Sequence, residues 1–294
     1  MKPASFEYSR ATDLDEACAL LAAEEDARII AGGQTLVPLM AMRLARPARL
    51  VDISRIPGLA FIRDEGEAVA IGATTRQWVA EHDPTVRARL PLLAKALPWV
   101  GHAPTRARGT IGGSLANADP AAEIALVAVT LGATLSYRDG GATVEVAAGE
   151  FFSGPMMTVL PPTACLTAVR FPVWRGRVGA GFAEISARKS DFAFASAACQ
   201  LETDDAGRCR RMTLGIGAVT PTPLRLNTVA AALTGERLSE AMARDAVAAA
   251  LDGIEPMEDP YASAAYRRRA AISLAVRAVI EANASAQTRG VHAG

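Results

Sequence analysis

The segment Arg28–Met40, RIIAGGQTLVPLM, decides how the chain is read. A run ending in Ile29 and Ile30 feeds the glycine pair Gly32–Gly33, and an amphipathic segment opens at Leu36 with Pro38 in its first turn, where proline is tolerated. The pattern predicts strand, turn and helix. Adjacent glycines reach φ > 0 and carry no Cβ, so backbone N–H groups can close on an anion, and the N-terminus of a following helix adds favourable partial charge. The spacing is neither GxGxxG nor GxxxxGK(S/T), so the Rossmann and P-loop readings both fail. Spacing alone allows an anion site, while a lone glycine pair between strand and helix is more often just a tight connection.

Outward from this segment the periodicity is regular. Phe6 and Tyr8 alternate with polar residues as a short strand, Thr12 and Asp15 form a capping-box signature, and Leu14, Ala17, Cys18 and Leu21 recur at helical spacing. The runs ARII (27–30) and RLVDIS (49–54) read as strands and LVPLMAMRL (36–44) as a helix, so the opening residues form a small α/β layer. From Leu59 strands dominate: AVAIGA (68–73), ATLSYRD (133–139), ATVEVAA (142–148) and CLTAVRFP (165–172), with helices begun near Thr75 and Pro120 and a glycine turn in RDGGAT (138–143). FPVWRGRVGAG (171–181) reads as a linker. Beyond it come the strand GFAEIS (181–186), a hairpin of 193–202 and 209–219 joined by TDDAGR (203–208), and two Ala-rich helices from about Ser239 and Ser263. The expected fold class is α+β: a first domain over 1–175, divided at about 1–56 and 57–175, and a C-terminal domain of antiparallel sheet and helices over 176–294.

A second glycine segment repeats the first design. GTIGGSLANADPAAEIALVAV (109–129) places Gly112–Gly113 before Ser114, Asn117 and Asp119, with Pro120 at the expected first turn of an apolar helix. Two such turns in one domain can grip a pyrophosphate from both sides. Composition narrows the partners. Lys+Arg and Asp+Glu are equal at 31 each in 294 residues, so no net field recruits nucleic acid or anionic lipid. No segment reaches the roughly 18 uninterrupted apolar residues of a membrane span, and Glu7 interrupts any signal-peptide core, so a cytoplasmic protein is expected. Cys18, Cys165, Cys199 and Cys209 show no CxxC spacing, and His82, His102 and His292 do not pair with them as zinc ligands. No metal or iron–sulfur centre is expected from this chain, and no Ser-His-Asp set or buried acid pair can be argued from order alone. Redox chemistry would need a cofactor from outside.

The segments AGGQTLVPLMAMRLARPARLVDIS (31–54) and GTIGGSLANADPAAEIALVAVTLGA (109–133) resemble the two FAD-binding signatures of the medium, flavoprotein subunit of molybdenum-containing hydroxylases, the carbon monoxide dehydrogenase and xanthine dehydrogenase family. FAEISARKSDFAFA (182–195) and DPYASAAYRRRAAISLAVRAV (259–279) resemble later segments of the same subunit, so four ordered matches span nearly the whole chain. The resemblance implies a two-part, non-Rossmann FAD-binding domain, non-covalent FAD, and partner subunits that carry molybdopterin and 2Fe-2S iron–sulfur clusters. Substrate oxidation would occur on the molybdopterin subunit, and this chain would pass electrons to an external acceptor. The implied cofactor-binding set is Ala31, Gly32, Gly33, Gln34, Thr35 and Leu36 from the first motif, Thr110, Gly112, Gly113, Ser114, Asn117 and Asp119 from the second, and Leu160 and Phe182. Where the family commonly reads Gln-Ile-Arg-Asn-Arg-Gly, this chain has PTRARG, with Pro104, Thr105 and Ala107 as departures. A stand-alone FAD oxidase or reductase and a non-enzymatic nucleotide-binding or assembly module are the competing readings.

Three further features carry two readings each. Arg43 and Arg46 can steady phosphates or form a solvated helix end. Glu184, Arg188 and Asp191, with Phe182, follow the family's segment near the flavin, yet an alternating strand entering a charged loop looks the same. The YRRR run, Tyr266–Arg269, can face a partner or solvent.

Overall fold

The computed structural model describes residues 2–289. His292 lies outside the described residues. The N-terminal layer consists of β1 (Glu7–Arg10), α1 (Leu14–Ala22), β2 (Ala27–Ile30), α2 (Leu36–Ala41) and β3 (Arg49–Asp52). Its strands form a parallel sheet in the order β1-β3-β2, the arrangement that helical crossovers between strands require. The cap of α1 differs from the expected Thr12/Asp15 pair by one position. Asp13 is the N-cap and accepts from the Glu16 N–H at 2.8 Å, while the Glu16 carboxylate reaches back to the N–H and hydroxyl of Thr12, each at 2.7 Å. Asp15 instead bonds Arg138 of the neighbouring unit at 2.8 Å. Ala17, Cys18, Leu21 and Val51 form the core of this layer together with Cys165, which comes from the second unit.

The second unit contains β4 (Ile62–Asp64), β5 (Ala68–Gly72), the short helices α3 (Gln77–His82), α4 (Pro84–Arg89), α5 (Pro91–Ala96), α6 (Ala103–Arg108) and α7 (Ile111–Asn117), then α8 (Glu123–Leu131), β6 (Thr134–Asp139), β7 (Ala142–Ala147), α9 (Ala148–Phe151), the two-stranded β8 (Phe152–Gly154) and β9 (Met157–Thr158), and β10 (Cys165–Pro172). Five strands pair antiparallel in the order β4-β5-β10-β6-β7. Residues Ile124 to Leu131 of α8 are all buried, which explains why the sequence is apolar on every side of that helix. It stops at Gly132, a left-handed cap with φ = 68°.

The expected linker is much shorter than 171–181. Phe171 and Pro172 end β10, and β11 (Arg177–Ser186) begins five residues later, because Gly179 and Gly181 belong to a strand rather than a loop. With β12 (Ala193–Thr203), β13 (Cys209–Gly217) and β14 (Leu224–Arg225) it forms an antiparallel sheet, followed by α10 (Asn227–Leu233), α11 (Glu240–Leu251) and α12 (Ala264–Arg289). The glycines have a packing reason. A Cβ on Gly179 would overlap the Ala282 carbonyl oxygen, and one on Gly181 the Ala278 carbonyl oxygen, so the helix backbone lies directly on the strand. The facing positions Ala271, Ala275, Ala278, Ala282 and Ala286 are all fully buried and equally small. Arg267 pins the start of α12, with Nη1 donating to the Phe194 and Ala218 carbonyls at 2.7 Å each and Nη2 paired to Asp259. Among the described residues no helix is long and apolar enough to cross a membrane.

Gly181→Val tests this packing. Lifting α12 off β11 should cost about 2–3 kcal/mol, the upper range for overpacking, measured as a lower urea midpoint with an unchanged slope.

Candidate functional site

The principal cleft, about 760 Å³, opens between the two glycine segments and the second sheet. Its first wall is the turn after β2. Gly33 takes φ = 70°, and the turn is closed by Gln34 Nε2 donating to the Gly32 carbonyl at 3.1 Å and by the Val37 N–H donating to the Gly33 carbonyl at 3.1 Å. Among the described residues no acceptor reaches the N–H groups of Gly33, Gln34 or Thr35. Buried or ligand-facing N–H groups are rarely left unmatched, so this row of donors is suited to an anion. Gly32 serves a different purpose. A Cβ there would sit 2.5 Å from the Arg108 carbonyl oxygen and 2.9 Å from the Gly109 Cα, so the first turn is pressed against the entrance to the second motif.

The second motif is not a turn. Gly112 and Gly113 lie inside α7, whose N-cap Thr110 accepts the Gly113 N–H at 3.0 Å. Neither glycine has positive φ. Their N–H groups are already committed: Ile111 donates to the Thr75 carbonyl at 3.0 Å, Gly112 to the Ala73 carbonyl at 2.9 Å, and Ser114 to the Thr110 carbonyl at 3.1 Å. The glycines are there for close approach, since a Cβ on Gly112 would lie 2.5 Å from that of Ala73 and one on Gly113 would lie 2.7 Å from Thr110 Oγ1. What this wall offers the cleft is the side chains of Thr110, Ser114 and Asn117. Pro120 likewise precedes its helix instead of opening it, because α8 starts at Glu123.

The departures in PTRARG produce a helical turn. Pro104 occupies an early position of α6 where no N–H is needed, and the Gly109 N–H closes the turn on the Thr105 carbonyl at 2.6 Å. Arg106 bonds Glu81 at 2.7 Å and also the Val100 and Gly101 carbonyls, while Arg76 holds the Arg108 carbonyl. Thr105 itself lines the cleft.

Around the far side, Ala118 turns the chain through φ = 51° to present Asp119, whose carboxylate accepts the Ala121 N–H at 2.9 Å. Burial raises the Asp119 pKa against that hydrogen bond. Burial also pushes Glu123 up to about 7, with the Asp119 charge adding to it and Arg106 opposing. Leu160 forms part of the floor, and Ser190, Asp191 and Phe192 reach in from the C-terminal unit. Phe192 is 75% exposed, an unusual position for a large apolar ring beside a cleft.

Every residue of the expected set lines this cleft except Phe182. Phe182 is 5% exposed and packs on Trp99 with ring centroids 6.0 Å apart, inside the core of the second unit. Strand alternation explains the difference, because Gly181 faces α12 and its neighbour must face the opposite side. The aromatic at the cleft is Phe192, in the loop that sequence periodicity treated as a charged turn. Arg188 pairs with Asp191 at 3.1 Å. Arg43 and Arg46 are outside the lining and bond the Lys2 and Arg43 carbonyls respectively. Gln77 and His102 line the cleft but were not foreseen, since no local pattern marks them.

All four cysteines are free and buried, with burial pushing the Cys165 thiol up to about 12 and the Cys209 thiol up to about 11. Such thiols are inert packing groups. Among the described residues no cluster of three or more His, Cys, Asp or Glu can hold a metal. The cleft instead has the volume of a cofactor site, a row of free N–H donors at one end and convergent hydroxyl and amide groups opposite, so a dinucleotide with a pyrophosphate fits its chemistry.

Comparison with known proteins points the same way. Residues 4–174 match the family described as FAD binding domain in molybdopterin dehydrogenase, and residues 180–282 match the CO dehydrogenase flavoprotein C-terminal domain. The 6-hydroxypseudooxynicotine dehydrogenase complex subunit alpha of Paenarthrobacter nicotinovorans is 36% identical over 96% of both chains. The carbon monoxide dehydrogenase medium chain of Afipia carboxidovorans is 35% identical over 98% of this chain and all of its own. A solved carbon monoxide dehydrogenase from Hydrogenophaga pseudoflava superposes with a TM-score of 0.93 at 34% identity, covering 97% of this chain and 99% of that one. With its free N–H row at the first glycine turn and family matches over both halves, the chain belongs to the FAD-binding medium subunits of molybdenum-containing hydroxylases, an oxidoreductase family.

Proposed function

We propose that this chain is the electron-transfer subunit of a heteromeric molybdenum hydroxylase, taking electrons from the 2Fe-2S clusters of a small partner subunit and passing them to an external acceptor. Substrate oxidation would then occur on a large molybdopterin subunit. The observation that carries the reading is the unpaired N–H row of Gly33, Gln34 and Thr35 in a chain whose described residues hold no metal-ligating cluster. Bound FAD supplies the capacity to accept and release electrons. The protein's own residues bind and orient it. Gly33, Gln34 and Thr35 donate N–H groups to the pyrophosphate, Thr110, Ser114 and Asn117 donate from the opposite wall, and Leu160 closes the floor. Gly32 and Gly112 act by permitting close backbone packing. The loop bearing Asp191 and Phe192 limits access of water from the C-terminal side. We take 1–175, with units of about 1–56 and 57–175, and 176–294 as the domains that make up this arrangement. Relatives include a nicotine 6-hydroxylase medium subunit and a caffeine dehydrogenase subunit beta, which supports nitrogen heterocycles as one class of substrate for the complex.

The turn can be tested directly. A valine at residue 33 must adopt the left-handed region, at a cost of about 1–2 kcal/mol, and its branches crowd Val37. Gly33→Val should therefore purify without FAD while keeping native circular dichroism, and the exposed control Arg237→Ala should retain the cofactor. A folded Gly33→Val with full FAD content would show that the turn is only a connection.

The division of labour is tested at the level of the complex. Native size-exclusion chromatography should co-elute this chain with iron and molybdenum, and the isolated chain should bind FAD but hydroxylate no substrate until co-expressed with iron–sulfur and molybdopterin subunits. Full substrate oxidation by the metal-free chain would establish a stand-alone flavoenzyme instead.

A further inference from the structure

One lip of the cleft carries a strained turn. Between β8 and β9 the chain reads Gly154-Pro155-Met156-Met157, and Met156 takes φ = 57°. A proline followed by a left-handed residue is the pattern of a type II turn, whose second central position ordinarily takes glycine or asparagine. A methionine in that conformation is held there by its surroundings. Those surroundings are the second glycine segment. The Met156 N–H donates to the Ala118 carbonyl at 2.9 Å, and Ala118 is itself left-handed, with φ = 51°. The Met156 thioether accepts from Asn117, with Nδ2 and Sδ 3.8 Å apart. Asn117 lines the cleft, and so do Thr158 and Leu160 just beyond the turn. Met156 therefore touches the cleft wall through its backbone and its side chain at once.

The sulfur of this residue is also open to solvent-borne reagents. All four thiols are buried, and Met40 and Met212 lie in the core. Among the described residues the exposed methionines are Met42, Met156 and Met157. Met42 sits at the end of α2, outside the lining of the cleft. Met157 is 60% exposed, but its sulfur leans over Gly154 of its own hairpin, where an added Cβ would meet it at 3.6 Å. Met156, 47% exposed, is the one of the three whose sulfur bonds a side chain of the cleft. A thioether is a weak acceptor, so it leaves the Asn117 amide free to turn toward a ligand. Its sulfoxide is polar, with an oxygen that accepts an N–H far more strongly.

We propose that Met156 is a sulfoxidation site whose oxidation state sets the affinity of the cleft for FAD. The inference rests on the reading above in which Asn117 donates to the cofactor. The oxidant is hydrogen peroxide. Its O–O bond breaks, one oxygen forms the S–O bond at Sδ and the other leaves as water, so sulfur loses two electrons and peroxide gains two. From 3.8 Å, an oxygen added to Sδ comes within hydrogen-bond reach of Asn117 Nδ2. That oxygen lies off the original line between sulfur and nitrogen, and the strong bond it makes fixes the amide on the hairpin instead of on the cofactor. The change is also felt next door, because the Met156 N–H anchors the turn that presents Asp119. Losing one such hydrogen bond weakens binding by about tenfold. Methionine sulfoxide reductases reverse the reaction, so the site can be switched back.

The experiment treats the cofactor-free full chain with dilute hydrogen peroxide, locates the added oxygen by peptide mass spectrometry, and measures FAD affinity by fluorescence titration. Chain oxidised at Met156 should bind FAD about tenfold more weakly, and methionine sulfoxide reductases with dithiothreitol should restore both mass and affinity. Met156→Leu should lose the response to peroxide, whereas Met157→Leu should bind FAD as wild type does and keep the response. Asn117→Ala separates the amide route from general loosening: peroxide should leave its affinity unchanged. Oxidation at Met156 without a change in affinity overturns the inference while leaving the FAD assignment intact. So does a chain that is oxidised at Met157 but not at Met156, or a full peroxide effect in Met156→Leu or Asn117→Ala. Absence of FAD binding by the untreated chain instead refutes the functional reading on which the inference rests. If Met156→Leu fails to fold by circular dichroism, a chain with both Met42→Leu and Met157→Leu decides, since Met156 is then the exposed thioether that remains.

Discussion

The site depends on one steric constraint: the backbone of Gly32 lies against Arg108 and Gly109 with no room for a Cβ. That contact joins the parallel layer to the second unit and turns two separate segments into opposite walls of a cleft. Its support comes from both directions. On one side β2 delivers Gly32 at a fixed height beside β3, and on the other Gln77 and Arg76 hold the backbone of 108–110 by side-chain bonds to the Arg108 and Thr110 carbonyls. With the walls fixed in this way, the first presents backbone donors and the second presents side chains. The asymmetry follows from where each segment's own N–H groups are spent.

A comparable close approach organises the C-terminal unit. Small residues on β11 and α12 let a long helix lie on a sheet almost backbone to backbone, and this leaves the opposite face of β11 free to pack on the second unit. Phe182, Ala180 and Ala198 accordingly belong to the core of the FAD-binding region although they are carried by the C-terminal sheet. Thr213 Oγ1 extends the joint by donating to the Thr130 carbonyl of α8 at 2.6 Å. The loop after β11 is therefore held over the cleft by a shared core, and Asp191 and Phe192 are positioned by packing some distance away.

The electrostatics of the cleft follow from the same geometry. Its lining includes Arg28 and His102 but also Asp119, Glu123 and Asp191, so cationic side chains do not dominate it. An anionic ligand must rely on oriented N–H groups, and carboxylates buried nearby are held toward their neutral forms by lost hydration. Most of the polar joint between domains is satisfied by hydrogen bonds. The side-chain oxygens of Thr130, Glu184 and Ser196 are among the places where it is not.

Local sequence was sufficient wherever structure is set by nearest neighbours. The parallel layer, the 193–219 hairpin, the start of α11 at Ser239 and the positive-φ role of Gly33 all follow from periodicity, caps and glycine freedom within a few residues, and the ordered motifs were enough to identify the cofactor family. Tertiary structure decided the rest. Gly112 and Gly113 are helical because the carbonyls of Ala73 and Thr75 and the hydroxyl of Thr110 capture their segment's N–H groups, and no reading of 109–114 alone contains the first two acceptors. Phe192 rather than Phe182 reaches the cleft because the buried face of β11 is chosen by α12, nearly a hundred residues away in the chain.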